Sequence, residues 1–552
     1  MSRNLTFEKL VEASFYFILL ASLSSIWLNK YFITGDGPSH LYNSKVLLDF
    51  VTSSNVEFYR EYYSINRDLD PNWSGHIILA GLLYIFPYYL AEKVFITLYV
   101  LLFSFSLRAL IKEINPENGF LIVLGMPFIY QFTFRMGFYN YSLSFAFCFL
   151  SIWFWLKYHQ KFQFYHFVIY LLINTVLYFT HPIGFLLSVL VVGIVNTINV
   201  LCLAPLYESP HKSLPSKIQI FFKPLFSFFP GLLLLVAYLQ KQGTSTALNE
   251  VRFTRLFQEF IELTSLVNLN SSEEFWAILL AVLFGIMLVY SIISHVKNFH
   301  IKSGDGFFLV FIITFLVYFL HPSTFTGAGV LSIRLQFIPY LTLLLWFSSI
   351  DFPQLFKKVI LATTLVIATA FIWIRQPQTA LASDAVEEYL EVAEHIEAHS
   401  TVLPLSFSHN GKTPEGELIT KRIWLFMHVS DYLGAIKPSI LLGNYEGNTG
   451  YFPIDWKPEM NPFRHLSSNE GLEFQPPSVD IDNYQNKTGS DIDYVILWCL
   501  DEQYMSHEYT VNILEQLSAN YEMTFASENN LVQLYRKKRV HNSNVEEQKN
   551  PK

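Results

Sequence analysis

The fold is decided by a stretch near the N-terminus, residues 11–32, which reads VEASFYFILLASLSSIWLNKYF. A helix needs roughly 20 mainly apolar residues to cross the hydrocarbon core of a bilayer, and this run has that length. It is too long and too aromatic for a cleaved signal peptide, and it lacks a small-residue cleavage site. We therefore interpret it as a membrane anchor that is retained.

Comparable apolar runs fill the first two thirds of the chain. Of 552 residues, 52% are hydrophobic and 15% are charged, against about 25% charged in an ordinary soluble protein. The net charge of −8 gives no basic surface for nucleic acid. Together the runs predict an α-helical polytopic membrane protein with about eleven transmembrane helices. The predicted spans are 11–32, 90–111, 119–134, 138–156, 164–181, 183–204, 219–240, 273–296, 306–321, 327–349 and 356–376.

One apolar segment, GHIILAGLLYIFPY at residues 75–88, decides the orientation. It is short for a span and fits an interfacial or re-entrant helix. If this segment does not cross the membrane, the Lys and Arg residues of nearly every short loop lie on the same side of it. By the positive-inside rule, that side is cytoplasmic. This predicts a multi-pass protein of the cytoplasmic membrane, with a cytoplasmic N-terminus and an outer-face loop at residues 33–89.

The chain beyond the last apolar run predicts a separate aqueous domain. Residues 1–376 form the predicted membrane domain, 377–540 an extracytoplasmic α/β domain, and 541–552 a disordered tail. The proline-rich, aromatic stretch 444–477 is too long for a simple connection, which indicates a functional or docked segment. Further predicted elements of this domain are an amphipathic helix at 384–400, strands at 401–407, 493–499, 521–526 and 530–535, and a helix near 509–520.

The strongest local motif, TGDGPSHLY at residues 34–42, follows the first span directly. Glycine and proline around Asp36 predict a tight turn, and His40 shares its face if a helix begins at Pro38. A carboxylate beside an imidazole at a membrane surface suits general-base catalysis. The same pair could instead hold a divalent cation together with a phosphate. In the alternative without function, Asp36 only caps the helix.

Two further patterns supply candidate substrate-binding residues. The octapeptides YFTHPIGF (178–185) and YFLHPSTF (318–325) share the pattern YFxHPxxF. Their histidines, His181 and His321, either line one outer-face cavity or simply end their helices, where the dipole favours a cation and proline stops the helix.

Arginines in or beside spans are the next candidates, because burying an unpaired guanidinium in a membrane is costly. Arg135 and Arg334 are candidates for binding a phosphate in bidentate fashion, and Asn140, in the same turn as Arg135, is a further substrate-binding candidate. For Arg135, extension of the side chain to the interface is the alternative.

An N-terminal span followed by an outer loop with an acidic turn and a histidine, here GDGPSH, resembles the GT-C class of membrane glycosyltransferases. Protein O-mannosyltransferases and lipid A aminoarabinose transferases belong to this class. The resemblance implies a polyprenyl-phosphate-linked sugar donor, a hydroxyl acceptor on a lipid, glycan or protein, and inversion at the anomeric carbon. It implies that Asp36 is the base and that His40, His181 and His321 line the cavity. Members often carry two adjacent acids at this turn, whereas Gly37 follows Asp36 here, so no metal ligand is assigned and a divalent cation stays an open alternative.

Two other interpretations remain at this stage. One is a non-catalytic membrane transporter or scaffold for lipid-linked glycans, although a transporter usually shows broken helices near the midplane. The other is a glycan polymerase or ligase, which would use outer-face arginines without needing the Asp36 turn. The effect of Asp36→Asn on sugar transfer separates these interpretations.

Overall fold

The computed structural model describes residues 2–201, 221–242, 252–297, 304–321 and 330–538. The chain is mostly helical, at 68%. Within the described residues, 6 helices are long and apolar enough to cross a membrane. Parts of the predicted spans 183–204, 219–240 and 327–349, and the whole predicted tail 541–552, lie outside the described residues. The coarse prediction of a helical membrane protein is therefore compatible with the structure.

The helices long enough to cross match six of the predicted spans. Shorter apolar helices accompany them at Ser74–Ile85, Leu121–Arg135, Phe164–Thr180 and Asp305–Leu320. The six long helices are Thr6–Trp27, Tyr88–Ile114, Pro182–Asn199, Ser271–Lys297, Leu331–Ser348 and Gln354–His395.

The remaining helices include one further long one and several short ones that connect or cover the bundle. The helix Tyr139–Tyr158 has 20 residues, and Phe229–Gln242 has 14. The short α-helices are Gly37–Thr52, Val56–Tyr62, Phe253–Glu262, Asp431–Ile436, Pro462–His465, Ile481–Thr488 and Glu508–Asn520.

The predicted span 119–134 is not a continuous helix. It breaks into Leu121–Gly125, a 3-10 turn at Met126–Tyr130 and Phe132–Arg135. Pro127 stands in the 3-10 turn, and the Gln131 side chain accepts a hydrogen bond from the Thr133 amide at 2.9 Å, which starts the last piece. The whole segment is buried. Irregular backbone is tolerated at such depth where protein, and not lipid, surrounds it.

The helix Ser74–Ile85 has 12 residues, a length of about 18 Å at 1.5 Å per residue. That is shorter than the roughly 30 Å of hydrocarbon in a bilayer, as the prediction of a non-crossing segment requires. It packs against the helices Gly37–Thr52 and Tyr88–Ile114.

The C-terminal part contains a five-stranded mixed sheet, whose strands lie in the order β3 (Ser439–Leu441), β2 (Ser400–Ser406), β5 (Tyr494–Trp498), β7 (Val532–Lys537) and β6 (Tyr521–Ala526). Its centre, β5 (Tyr494–Trp498), is buried throughout and lies parallel to β2 (Ser400–Ser406), which in turn pairs parallel with β3 (Ser439–Leu441). The strands β7 (Val532–Lys537) and β6 (Tyr521–Ala526) complete the sheet in antiparallel fashion. Four of these strands match the predicted ones.

Two observations tie this sheet to the membrane helices. The last span and the predicted amphipathic helix 384–400 are one helix, Gln354–Leu390, which runs through Pro377 without a break and ends in a 3-10 turn at Glu391–His395. The predicted helix start at residue 383 or 384 is therefore wrong. In addition, β1 (Tyr63–Ile65), within segment 33–89, pairs antiparallel with β4 (Ile454–Trp456). The sheet region is thus packed onto segment 33–89.

Candidate functional site

The acidic turn, residues 34–40, docks directly on a second turn at residues 135–137. The amide of Gly35 donates to the Arg135 carbonyl at 3.0 Å, and the amide of Asp36 donates to the Met136 carbonyl at 2.8 Å. Gly137 has φ +88°, and a Cβ there would lie 2.3 Å from the Asp36 amide nitrogen. Glycine is therefore required at position 137 both for its backbone conformation and for the close approach of the two turns.

The Asp36 side chain is not used as a helix cap. The helix Gly37–Thr52 begins after it with Pro38 in its first turn, but Asp36 makes no side-chain capping bond. Its carboxylate instead accepts a hydrogen bond from the Tyr445 hydroxyl and interacts with the charge of Arg334, and the His428 Nε2 lies 3.8 Å away. The capping alternative is thus not supported.

Burial raises the pKa of the Asp36 carboxyl to about 6, although His40, Tyr445 and Arg334 act to lower it. Burial also lowers the pKa of His428 to about 3, so this ring is neutral. It stacks on the Tyr445 ring with 4.5 Å between centroids. Asp36 is therefore a carboxylate whose protonation changes near neutral pH.

His40 faces Glu446, and together with His76 these residues form the His–Glu–His cluster. The Nδ1 of His40 lies 2.6 Å from Glu446 Oε1, and the Nε2 of His76 lies 2.8 Å from Oε2. All three residues are buried. Burial alone would raise the pKa of Glu446, but the two imidazoles outweigh it and lower the pKa to about 2. Glu446 is thus a permanently ionised carboxylate between two rings.

Two more acids approach the same turn. Glu92 accepts hydrogen bonds from the hydroxyls of Tyr139 at 2.8 Å and Tyr432 at 2.6 Å. A Cβ at position 37 would lie 2.6 Å from a Glu92 oxygen, so Gly37 lets this network reach the turn. Glu92 is therefore part of a buried hydrogen-bond network.

Asp431 approaches from the sheet region and accepts a hydrogen bond from the Ser39 hydroxyl. Its side chain is fully buried, and this burial raises the pKa of Asp431 to about 7. The acidic turn therefore meets carboxylates from both halves of the chain.

Arg334 stays a candidate for phosphate binding. Its guanidinium lies over the Phe138 ring at 4.1 Å, and its buried Nε has no hydrogen-bond partner among the described residues. The Tyr141 hydroxyl donates to the Arg334 carbonyl, and the His181 ring packs edge-on against Tyr141 at 5.0 Å. Tyr141 thus links Arg334 to His181, and the role of both in binding substrate stays a prediction.

Arg135 and Asn140 have hydrogen-bond partners within the bundle, although the buried Nε of Arg135, like that of Arg334, has none among the described residues. Arg135 donates to the Thr379 hydroxyl at 2.6 Å and lies over the Phe32 ring at 4.2 Å. It is buried, so extension to the interface does not describe it. Asn140 accepts from the Gly75 amide at 2.7 Å and donates to the Asn72 carbonyl at 3.0 Å. Both side chains join segments of the bundle, and their substrate-binding role stays a prediction.

The two histidines of the repeated octapeptide lie in different surroundings. His321 ends the helix Asp305–Leu320 and contacts Tyr318 and Arg252, which donates to the His321 carbonyl at 3.0 Å. Its partner in the repeat, His181, accepts from the Ile183 amide at 3.2 Å. Residues 322–329 of the second octapeptide lie outside the described part of the chain. The cavity shared by both histidines stays a prediction.

An apolar groove has a volume of about 600 Å³. It lies between the helices Ser74–Ile85 and Phe164–Thr180. Such a volume is within the range of small-molecule and cofactor sites, about 300–1,000 Å³. Its apolar lining consists of Leu69, Trp73, Ile77, Ile78, Val176 and Phe179, and Arg67 and Asp68 stand among the polar residues.

Sequence reasoning missed Glu446, His76, His428 and Asp431. Only two local signals pointed to them. His76 is a lone imidazole in an otherwise apolar short helix, and Glu446 lies inside the stretch 444–477 that was expected to be functional. Nothing local marks His428 or Asp431.

A scan against models of known protein families finds no match to this chain, and a search of curated proteins finds none either.

Proposed function

We propose that this protein is a membrane glycosyltransferase that moves a sugar from a polyprenyl-phosphate-linked donor to a hydroxyl acceptor. In the proposed step the acceptor oxygen attacks the anomeric carbon and gives its proton to the Asp36 carboxylate. The bond between that carbon and the donor phosphate breaks, and polyprenyl phosphate leaves. The configuration at the anomeric carbon is inverted.

The observation that carries this proposal is that the charge of Arg334 acts on the Asp36 carboxylate. The carboxylate makes no helix-capping bond, and the buried Nε of Arg334 has no hydrogen-bond partner among the described residues. A base that accepts a proton and a cation that receives the leaving phosphate are the two groups such a displacement needs. His181 packs against Tyr141, whose hydroxyl donates to the Arg334 carbonyl.

The apolar groove supports a lipid-linked donor. The residues that line it on Ser74–Ile85 lie on the helix that also carries His76. A polyprenyl chain in this groove would hold its phosphate at the level of the outer loop. Arg67 and Lys241 are the nearby basic groups, although Lys241 is already paired with Asp68 and Asp70 at 2.6 Å each.

The proposal includes the finer topology. We place eleven spans in the cytoplasmic membrane, with segment 33–89 and the sheet region, an α/β domain, on the extracytoplasmic side. Labelling of single cysteines introduced at exposed Glu57 and at exposed Glu397 with a membrane-impermeant reagent tests this. Reaction of both in intact cells supports the orientation, and reaction only after lysis contradicts it.

The activity test compares purified wild type, Asp36→Asn and Glu57→Gln with radiolabelled polyprenyl-phosphate sugars and crude membrane acceptor. Glu57 is an 85% exposed carboxylate in the same outer segment and serves as the matched control. We expect transfer by wild type and the control, and loss of about 10²–10⁴-fold in Asp36→Asn. Equal transfer by all three removes Asp36 from the mechanism, and no transfer by any, with donor binding intact, favours a transporter or scaffold.

A further inference from the structure

In the His–Glu–His cluster, two ring nitrogens face the two oxygens of one carboxylate, and the count of protons between them decides what the cluster can bind. The Nδ1 of His76 lies 3.1 Å from the Asn72 carbonyl oxygen, which can only accept, so this nitrogen carries the ring proton. The Nε2 of the same ring lies 2.8 Å from Glu446 Oε2, and without a second ring proton it directs a lone pair at that oxygen. Two acceptors at this distance need either an extra proton or a cation between them.

His40 repeats this arrangement on the other carboxylate oxygen. Its ring hydrogen-bonds the backbone of Gly137, and its Nδ1 lies 2.6 Å from Glu446 Oε1. Both atoms are buried, and neither has an aligned hydrogen bond among the described residues. Buried polar atoms of this kind are rare in folded proteins and call for an explanation such as an ion.

The geometry points to a transition-metal dication, of the Zn²⁺ type, bound by His40, His76 and Glu446. Their candidate ligand atoms all lie within 4.8 Å of one another. Two imidazoles and one carboxylate form a known three-ligand set that leaves a further position open. The site is distinct from the Asp36 and His40 pair considered from the sequence, because His40 is directed at Glu446.

The surroundings of the cluster match those of metal sites. Ligating histidines usually donate their other ring N–H to a carbonyl or carboxylate, which fixes the tautomer, and His76 does so through Asn72. The two imidazole rings stand nearly perpendicular, with 5.0 Å between centroids. Phe452 packs against both rings at 5.6 and 5.3 Å, which limits the access of water.

The chemistry of the ligands selects the metal class. Imidazole suits Zn²⁺, Cu²⁺, Fe²⁺ and Ni²⁺, whereas Mg²⁺ and Ca²⁺ prefer all-oxygen sites. The three ligands come from the helices Gly37–Thr52 and Ser74–Ile85 and from the 3-10 turn Glu446–Asn448. A bound cation would therefore join the outer loop to the sheet region. This inference does not depend on the proposed glycosyl transfer.

The test measures metal content and not activity. The full chain, purified in detergent with its affinity tag removed, is stripped with a chelator, incubated with Zn²⁺ alone and freed of unbound metal. Zinc per chain is then measured by plasma mass spectrometry for wild type, His76→Gln, Glu446→Gln and the control His409→Gln. His409 is a buried histidine of the sheet region outside the cluster.

We expect one Zn²⁺ per chain in wild type and in His409→Gln, and loss of the bound ion in the two ligand variants. An excess of Ca²⁺ should not displace the ion. Wild type without stoichiometric zinc, or equal zinc in the ligand variants, overturns the inference. If a ligand variant fails to fold, wild type is loaded with Co²⁺ and its visible absorption spectrum is measured. Intense bands, typical of a low-coordinate Co²⁺ site, support the inference, and their absence refutes it.

Discussion

Removing one partner of the buried ion pair between Arg375 and Glu273 should destabilise this fold strongly. The guanidinium Nε donates to Glu273 Oε2 at 2.8 Å, and the other nitrogens donate to the carbonyls of Tyr130 at 3.1 Å and Leu266 at 2.5 Å. Glu273 is fully buried and Arg375 is 8% exposed. The pair joins the last long helix to the helix Ser271–Lys297, and the bond to the Tyr130 carbonyl joins it to the broken segment 121–135.

We predict that Arg375→Met lowers the free energy of unfolding by about 3 kcal/mol. Breaking a buried pair typically costs about 3–5 kcal/mol, because a charge is left uncompensated. Glu273 keeps three backbone donors, the amides of residues 268–270 at 3.1, 2.8 and 3.2 Å. This places the expected cost at the lower end of the range.

The assay is equilibrium unfolding in detergent micelles, with Arg60→Met as control. The Arg60–Glu57 pair is 60% and 85% exposed, so its loss should cost less than about 0.5 kcal/mol. The double variant Arg375→Met/Glu273→Gln should lose less than the sum of the single variants, since the two side chains act together. A loss below about 1 kcal/mol in Arg375→Met would refute the reasoning.

Three further predictions follow from the site. Arg334→Ala should raise the KM for the lipid-linked donor by about 10- to 100-fold, the loss of one charged hydrogen bond, with partial recovery in Arg334→Lys. Burial raises the pKa of Asp431 from 3.8 to about 7, so the stability of wild type should fall as pH rises from about 4 to 7. In thermal unfolding, Asp431→Asn should lose this dependence of stability on pH and be more stable than wild type at pH 8. Gly137→Ala should destabilise the protein more than Gly416→Ala. The two glycines have similar φ, +88° and +86°, but only at Gly137 would the added Cβ meet a close neighbour.

Much of the fold could be predicted from the sequence because its signals are local. The runs around Tyr88–Ile114 and Glu274–Lys297 have the length and composition of membrane helices, and four of the five strands of the sheet alternate or cluster apolar residues in the usual way. The break at Met126–Tyr130 and the unbroken helix through Pro377 could not be predicted. Both depend on packing against other parts of the chain.

The candidate site depends even more than the fold on contacts between residues that are distant in the sequence. Asp36 and His40 stand in one short motif, so their proximity follows from a single turn. The partners of His40 come from residues 76 and 446, and hydrophobic periodicity carries no information about contacts at that separation. Arg135 illustrates the converse, because an intramembrane arginine signals an unusual environment, but only the structure shows that Thr379 and Phe32 occupy it.

The two carboxyls nearest His40 differ in a way that assigns them different tasks. Burial raises the pKa of Asp36 to about 6, whereas the imidazoles lower that of Glu446 to about 2. Environments that separate the pKa values of neighbouring acids usually separate their roles.

A base must be deprotonated to act, so the rate of wild type should be constant above about pH 6 and fall about tenfold per pH unit below it. Glu446 stays ionised throughout that range and cannot produce this limb. If Asp36 is the base, Asp431→Asn should keep the limb near pH 6, and a rate without any limb between pH 5 and 8 would remove Asp36 from that role.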